Sequence, residues 1–198
     1  MIELSLAVLA KALQLFLVLD PIGNTGIVAT LISGFSQKRQ RLILVRESLF
    51  ALLVLIVVFF LGSYLLIALD ISRAAITLTG GIIFFLFSIS LLFPGSSVVN
   101  LKNLGEEPFF VPIATPLIVG PSSIATVILF SNDQKLISFI AIIVAWIFTA
   151  IIIIIGPFLL QKMGKTGMNV VERIIGMICA LIGIKMMLKG FKLFILSL

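Results

Sequence analysis

The stretch Leu19-Asp20-Pro21-Ile22-Gly23-Asn24-Thr25-Gly26 interrupts an apolar run that extends from Leu4 to Ile32. It places a carboxyl group, a proline, two glycines and an amide where a membrane-spanning helix would reach the middle of the bilayer. Backbone N–H and C=O groups cannot stay unpaired in hydrocarbon, so an irregular segment at that depth must be buried in protein or line a polar cavity. Discontinuous helices of this kind form the substrate sites of many secondary transporters. The stretch therefore predicts a broken membrane span.

The rest of the chain has the composition of an integral membrane protein. Of its 198 residues, 61% are hydrophobic and 11% are charged, and the mean hydropathy is +1.34. The apolar segments run for about 20 residues, the length of a transmembrane helix rather than of a roughly 10-residue barrel strand. We therefore expect an all-α membrane protein with six transmembrane helices. The predicted spans lie at about 4–33, 42–69, 73–93, 109–130, 136–160 and 171–191.

The charged residues indicate topology rather than nucleic-acid binding. The net charge is +6, but the basic residues fall in short loops and at span ends, where they anchor a helix to headgroups. A small excess of Lys and Arg in the connections after spans one, three and five favours both termini on the outer face. The first span is expected to be retained, since no basic segment precedes it and no small-residue cleavage site follows it.

Several classes of chemistry have no residues to support them. Histidine is absent and Cys179 is the single cysteine, which excludes histidine proton relays, Ser-His-Asp catalysis and thiolate metal clusters. No phosphate-binding loop or nucleophile with an adjacent base is present either. We expect no enzyme activity, no metal and no cofactor, and we interpret Cys179 as a packing residue.

The predicted fourth span contains a second break. Pro112, Thr115-Pro116 and Gly120-Pro121-Ser122-Ser123 place three prolines and a glycine within ten residues. Each interior proline removes a helix hydrogen bond and clashes with the preceding turn. We therefore expect helices 1 and 4 to be discontinuous.

The two halves of the chain resemble each other. An offset of 96 residues places Ala29-Thr30 on Ala125-Thr126 and Gly80 on Gly176, and it also aligns the two breaks. Three spans per half is an odd number, so the second half must cross the membrane in the opposite direction. We expect one transmembrane domain of two inverted three-helix repeats, at about 1–95 and 106–198. In the connection between them, Glu106-Glu107 is interpreted as solvated.

The two breaks offer candidate substrate-binding residues. They are Asp20, Gly23, Asn24, Thr25 and Gly26 in the first break, and Gly120, Pro121, Ser122 and Ser123 in the second. A helix N-terminus attracts a carboxylate through its free N–H groups and its dipole. Two such termini would form a compact pocket that suits a small zwitterion. The alternative is that both breaks are simple kinks, with Ser and Thr hydroxyls bonding to the preceding turn.

Three charged residues are candidates for further roles. A carboxylate at membrane depth is costly, so Asp20 is interpreted as a group that handles the substrate or a coupling proton, with simple capping of the following helix as the alternative. Arg46 and Glu47, near the start of span two, are interpreted either as interfacial residues or as a gating ion pair.

Several of these segments together resemble the MarC family of membrane proteins, in its YhgN-like branch. They are Leu19–Asn24, Val45-Arg46-Glu47, Gly80–Ile83, Gly105–Phe109, Ala114–Pro121 with Ile124-Ala125-Thr126, and Glu172–Gly176. The resemblance covers essentially the full chain. It implies a six-span inner-membrane protein related to the SnatA transporters of glycine and alanine, for which proton coupling has been proposed. The chain departs from the common family pattern at Asp20, Gly26 and Ser122-Ser123, all within the predicted site.

The leading hypothesis is a secondary transporter of small neutral amino acids of the glycine and alanine class, working by alternating access with Asp20 as the candidate for proton coupling. The alternatives are an efflux transporter for amphipathic drugs or other metabolites and a non-transporting membrane scaffold. The expected partners are a small zwitterionic substrate and the lipid bilayer, with no nucleic acid and with homo-oligomers left open. The expected location is the bacterial inner membrane.

Overall fold

A computed structural model describes residues 2–93 and 113–196, which form helices joined by short turns and include no strand. The helices in chain order are α1 (Ile2–Leu19), α2 (Pro21–Ile32), α3 (Gln37–Ala68), α4 (Arg73–Leu92), a π-helical turn (Ile113–Ile118), α5 (Pro121–Ser131) and α6 (Lys135–Ile195). The all-helical class predicted from the sequence is confirmed for this part of the chain. The predicted connection with Glu106-Glu107, and Pro112, lie outside the described residues.

Helix α6 has two arms because its backbone turns at Gly164. This residue has φ +67° and ψ 173°, a conformation that residues with a side chain rarely adopt. We call Lys135–Leu160 the N-terminal arm of α6 and Asn169–Ile195 the C-terminal arm. Each arm is long and apolar enough to cross a membrane.

Five segments of the described chain have the length and composition of membrane spans. They are Leu4–Ile32, Gln37–Ala68, Ala74–Leu92, Lys135–Leu160 and Asn169–Ile195. Five of the six predicted spans are thus confirmed as candidate spans. In the region of the predicted fourth span, the structure has the π-helical turn and α5. Helix α5 has 11 residues, about 16 Å at 1.5 Å per residue, which is too short to cross the bilayer alone.

Helix α3 begins at Gln37 rather than near residue 42 as predicted. The backbone N–H of Gln40 bonds to the carbonyl of Ser36 at 2.9 Å, so the basic segment is already helical. Lys, Arg and Gln are good helix formers, and their heads can remain in water while the backbone continues the helix. Hydropathy marks where the apolar part of this helix begins, and the helix itself starts one turn earlier.

Helix α4 packs closely along the C-terminal arm of α6. The contact face of that arm carries three glycines spaced seven residues apart, Gly176, Gly183 and Gly190. A Cβ added at Gly183 would lie 2.9 Å from the backbone nitrogen of Phe85, and one added at Gly190 would lie 2.6 Å from that of Leu78. The two backbones can approach this closely only because these side chains are missing, as in many membrane helix pairs.

The other helices surround two apolar cores. The larger core joins α1, α2, α3, the π-helical turn, α5 and the N-terminal arm of α6. The smaller core lies between α1, α4 and the C-terminal arm, and it includes Phe84 and Cys179. Cys179 is a free, fully buried thiol, as predicted for a packing residue.

Replacement of Gly81 by alanine tests the close packing of α4 on α6. The added Cβ would lie 2.6 Å from the backbone nitrogen of Met187 and 2.8 Å from the carbonyl oxygen of Gly183, so the helices must separate. We expect Gly81→Ala to lower the free energy of unfolding by about 1–3 kcal/mol. Gly34→Ala is the matched control, since no atom lies within 4 Å of a Cβ there. Equal thermal midpoints for the two variants in detergent would contradict this packing.

Candidate substrate site at two helix breaks

The first break is a single residue long. Helix α1 ends at Leu19 and α2 begins at Pro21, while Asp20 between them has the left-handed conformation φ 42°, ψ 58°. Proline lacks the N–H that would continue α1, but it fits the first position of a new helix, where that N–H has no partner. The predicted irregular stretch was therefore too long, because residues 23–26 already lie in the first turns of α2.

Asp20 caps the N-terminus of α2. One carboxyl oxygen, Oδ1, accepts the backbone N–H of Gly23 at 3.1 Å, and the Asp20 carbonyl accepts that of Asn24 at 3.1 Å. The side chain is buried, with 6% of the residue exposed. A Cβ at Gly23 would lie 2.2 Å from the Oδ2 atom of Asp20, so glycine leaves room for the capping carboxylate. The capping geometry anticipated from the sequence is present.

Asn24 links the first break to the second. Its side-chain Nδ2 donates to the carbonyl oxygen of Leu19 at 3.0 Å and to that of Leu117 at 2.8 Å. Leu19 is the last residue of α1, and Leu117 lies in the π-helical turn before α5. A single partly buried amide thus satisfies one carbonyl beside each break. This contact brings the two predicted halves of the site together.

The second break is longer than the first. Within the π-helical turn Thr115 is extended, with φ −134° and ψ 133°. The chain then passes through Gly120, which is extended at φ −91° and ψ 178°, before α5 starts at Pro121. Gly120 has no side chain to cap α5. The N-terminus of α2 is therefore capped by a carboxylate. The N-terminus of α5 has no side-chain cap for the backbone N–H groups of its first turn, which includes Ser122 and Ser123.

Two of the three hydroxyl groups of the candidate site bond to backbone carbonyls. Thr25 Oγ1 donates to the carbonyl of Pro21 at 2.7 Å, and Ser123 Oγ donates to that of Gly120 at 2.8 Å. Both are the back-bonded arrangement that the kink alternative predicts. Thr25 also packs against α6, because a Cβ added at Gly156 would lie 2.6 Å from its Oγ1. Both hydroxyls are thus already engaged in hydrogen bonds to nearby backbone carbonyls.

The remaining site candidates border open space to different extents. No atom lies within 4 Å of a Cβ built on Gly26. Pro121 is exposed and Ser122 is 8% exposed, beside the uncapped turn of α5. Among the described candidates, Gly26 and Pro121 therefore border open space, whereas Ser122 is almost fully buried.

Arg46 and Glu47 form an ion pair on α3. Glu47 is fully buried, and its Oε1 accepts Arg46 Nε at 3.0 Å and Arg46 Nη2 at 2.9 Å. Its other oxygen, Oε2, is buried without a partner in the described part of the chain. Glu47 therefore lies inside the bundle, so the interfacial interpretation applies only to the partly exposed Arg46. A gating role for the pair stays a prediction.

Two contacts around the site are not visible in the sequence. The carbonyl of Leu117 has no side-chain signature, so its bond with Asn24 could not be anticipated. The indole Nε1 of Trp146 donates to the carbonyl of Ser48 at 2.7 Å and holds the N-terminal arm of α6 against α3. The contact between Thr25 and Gly156 differs, because the sequence does single out Gly156: it precedes Pro157 inside an isoleucine-rich span.

The cap at the first break predicts different effects for two substitutions of Asp20. Asn keeps an acceptor oxygen and tolerates the left-handed backbone, whereas Ala loses the cap and is strained there. We expect Asp20→Ala to lower the free energy of unfolding by about 1–2 kcal/mol and Asp20→Asn to change it by much less. Denaturant titration of the purified protein measures both. Equal losses for the two variants would show that capping is not the structural role of Asp20.

The bridge between the breaks predicts that Asn24→Leu is strongly destabilising. The variant leaves the carbonyls of Leu19 and Leu117 without their amide donor, at a cost of about 1–3 kcal/mol for a buried polar group. Thr30→Val is the control, since it removes an exposed hydroxyl that bonds to the carbonyl of Gly26 at 2.9 Å. Thermal unfolding should place Asn24→Leu well below Thr30→Val; similar midpoints would contradict the bridge.

Known proteins match this chain over nearly its full length. Residues 6–195 match the model of the MarC family integral membrane proteins. The chain is 37% identical over 191 residues to the "UPF0056 inner membrane protein YhgN" of Escherichia coli K12, which covers 94% of this chain and 96% of the relative. A "UPF0056 membrane protein" of Buchnera aphidicola from Schizaphis graminum is 34% identical over 190 residues, covering 93% of this chain and 96% of the relative. No solved structure matches. The chain belongs to the MarC family of integral membrane proteins.

Proposed function

We propose that the protein is a secondary transporter of small neutral amino acids, with the two helix breaks as its substrate site. The observation that carries this proposal is the pair of hydrogen bonds from Asn24 to Leu19 and Leu117, which joins both breaks inside the bundle. Irregular backbone within a membrane protein is tolerated where it is buried or lines a cavity, and in transporters such backbone binds substrate. A location in the inner membrane is proposed from the YhgN relative, whose name states it.

The different ends of α2 and α5 suggest how a zwitterion would be oriented. The first turn of α5 has no side-chain cap, so the backbone N–H groups of Ser122 and Ser123 suit the substrate carboxylate. At α2 the equivalent place is taken by the carboxylate of Asp20. Asp20 is therefore the acidic group for the substrate ammonium or for a coupling proton. The site would hold a neutral zwitterion with one acidic side chain and backbone dipoles.

The order of elements supports two inverted repeats. A short helix that starts with proline follows each break, and two long spans follow each short helix: α3 and α4 after α2, and the two arms of α6 after α5. The short helices have 12 and 11 residues. With this architecture, alternating access would arise when one repeat rocks against the other at the breaks. The bond between Asn24 and Leu117 crosses that boundary, so it would form in one state and open in another.

No catalytic step is assigned to the protein. Binding and a conformational change account for the proposed activity, with the proton at Asp20 as the coupling species. The ion pair of the partly exposed Arg46 and the fully buried Glu47 lies on α3, and its proposed role is to hold α3 in one of the two states.

Uptake into proteoliposomes tests the proposal, with Gly120 as the informative position. Gly120→Asp would supply a carboxylate that caps α5 and competes with the substrate carboxylate, as Asp20 does at α2. Gly120→Ala is the matched control, since both variants add a Cβ that would lie 3.1 Å from the carbonyl oxygen of Pro116. We expect at least a tenfold lower glycine or alanine uptake in Gly120→Asp than in Gly120→Ala, with no loss of thermal stability. Asp20→Asn should transport without responding to an imposed pH gradient.

Two results would reject the proposal at different points. If the inserted, folded wild-type protein shows no flux of glycine or alanine, amino acid transport is wrong and a scaffold function becomes the better explanation. If flux exists but Gly120→Asp matches Gly120→Ala, the protein transports and the assigned carboxylate site is wrong.

A further inference from the structure

A cavity with several polar lining residues lies away from the two breaks. Its volume is about 410 Å³, within the range of small-molecule sites. Residues of α1, α3, α4, α5 and the C-terminal arm of α6 line it together with the turn after α5. The polar lining residues are Lys11, Gln14, Thr77, Asn132, Asp133 and Lys189. No residue of the two breaks belongs to this lining; helix α5, about 16 Å long, separates its own break from the cavity at its other end.

Two of the lining residues carry amide donors that lack a strong acceptor. The Nδ2 atom of Asn132 is buried and has no hydrogen-bond partner within the described residues. The Nε2 atom of Gln14 donates to the thioether sulfur of Met186 at 3.3 Å, and such a sulfur is a weak acceptor. A buried donor without an acceptor destabilises a protein unless water or a ligand supplies one. This part of the cavity therefore suits a group rich in acceptor oxygens.

The charges of the cavity leave one positive group available. Lys11 is held by Asp133 Oδ2 at 2.9 Å and by Ser138 Oγ at 2.8 Å, with the ring of Phe130 below its ammonium. Asp133 thus neutralises Lys11. The second cation, Lys189, is exposed on the C-terminal arm and lines the same cavity. The cavity as a whole is matched to a ligand with a single negative charge.

The remaining walls are apolar. Leu66, Ile76, Leu129, Met186 and Leu193 complete the lining together with Phe130. The end of α5, the start of α4 and the end of α6 meet there, so the cavity lies at one end of the bundle. A ligand would place its apolar part on these side chains and its charged group towards Lys189 and the amides.

We propose that this cavity is a binding site for a small organic carboxylate with an apolar chain. The carboxylate accepts hydrogen bonds from Asn132 Nδ2 and the Lys189 ammonium, and Gln14 gains a stronger acceptor than sulfur. The site is separate from the helix breaks and does not depend on the transport proposed above.

Binding measurements test the site with three probes that share a branched apolar chain and differ in their charged groups. The probes are 4-methylpentanoate, L-leucine and 3-methylbutylamine, titrated calorimetrically against the protein in phosphatidylcholine nanodiscs. We expect 4-methylpentanoate to bind and the amine, which lacks the carboxylate, not to bind. L-leucine, whose ammonium group cancels the charge of its carboxylate, should bind more weakly than 4-methylpentanoate. Equal binding of the amine would overturn the proposal.

Variants locate the bound carboxylate. Lys189→Gln and Asn132→Leu should each raise the Kd of 4-methylpentanoate about tenfold or more, since each removes one donor to a charged group. Lys185→Gln is the matched control, because Lys185 is exposed one turn earlier on the same arm and does not line the cavity. Its Kd should change less than about twofold. Lys189 is exposed, so its variant should keep the wild-type thermal midpoint, and equal Kd values for Lys189→Gln and Lys185→Gln would overturn the site.

Two further measurements separate this site from other sources of binding. Gly120→Asp, which fills the proposed transport site, should retain binding of 4-methylpentanoate; loss of that binding would place the ligand at the helix breaks instead. Phosphatidylglycerol in the nanodisc should not compete. If it abolishes binding, the cavity holds a lipid headgroup and the proposal is wrong.

Discussion

The need to pair backbone carbonyls inside a membrane bundle governs the centre of this protein. Pro21 interrupts the first span, and Pro116 with Pro121 interrupts the region of the fourth, so carbonyl groups beside both breaks lose their usual helical donors. The amide of Asn24 donates to one carbonyl at each break, Leu19 and Leu117. A carbonyl inside a membrane bundle must find its donor within the protein, so this amide stabilises the two breaks side by side. The irregular segments and their contact therefore form one structural unit.

The same unit has two chemically different helix ends. Asp20 caps α2 and closes it, whereas Gly120 leaves α5 without a side-chain cap. This difference follows from the presence of a carboxylate at one break and of glycine at the other. Such a site could bind the carboxylate of a zwitterion at one helix end and its ammonium group at the other, although both ends belong to short helices that begin with proline.

Around this centre, glycines on different helices meet different surroundings. The glycine face of the C-terminal arm brings its backbone against α4, where there is no room for a methyl group. Beside the breaks, in contrast, Gly26 borders open space and Ser122 lies next to an uncapped turn. The residues beside the breaks, Leu19, Ile118 and Val119 among them, are nevertheless buried in the larger core.

The composition and the hydrophobic runs alone determined that the protein is a helical membrane protein, because the bilayer requires long apolar helices. The Asp20-Pro21 and Gly120-Pro121 pairs located both breaks, since proline prevents a continuous helix wherever it stands. Residue type could not determine the extent of the first break: α2 restarts at once because Asp20 caps it, and that requires a specific backbone conformation. Neither the bond from Asn24 to Leu117 nor the burial of Glu47 was visible in the sequence. Both depend on which helices become neighbours, and only tertiary packing decides that.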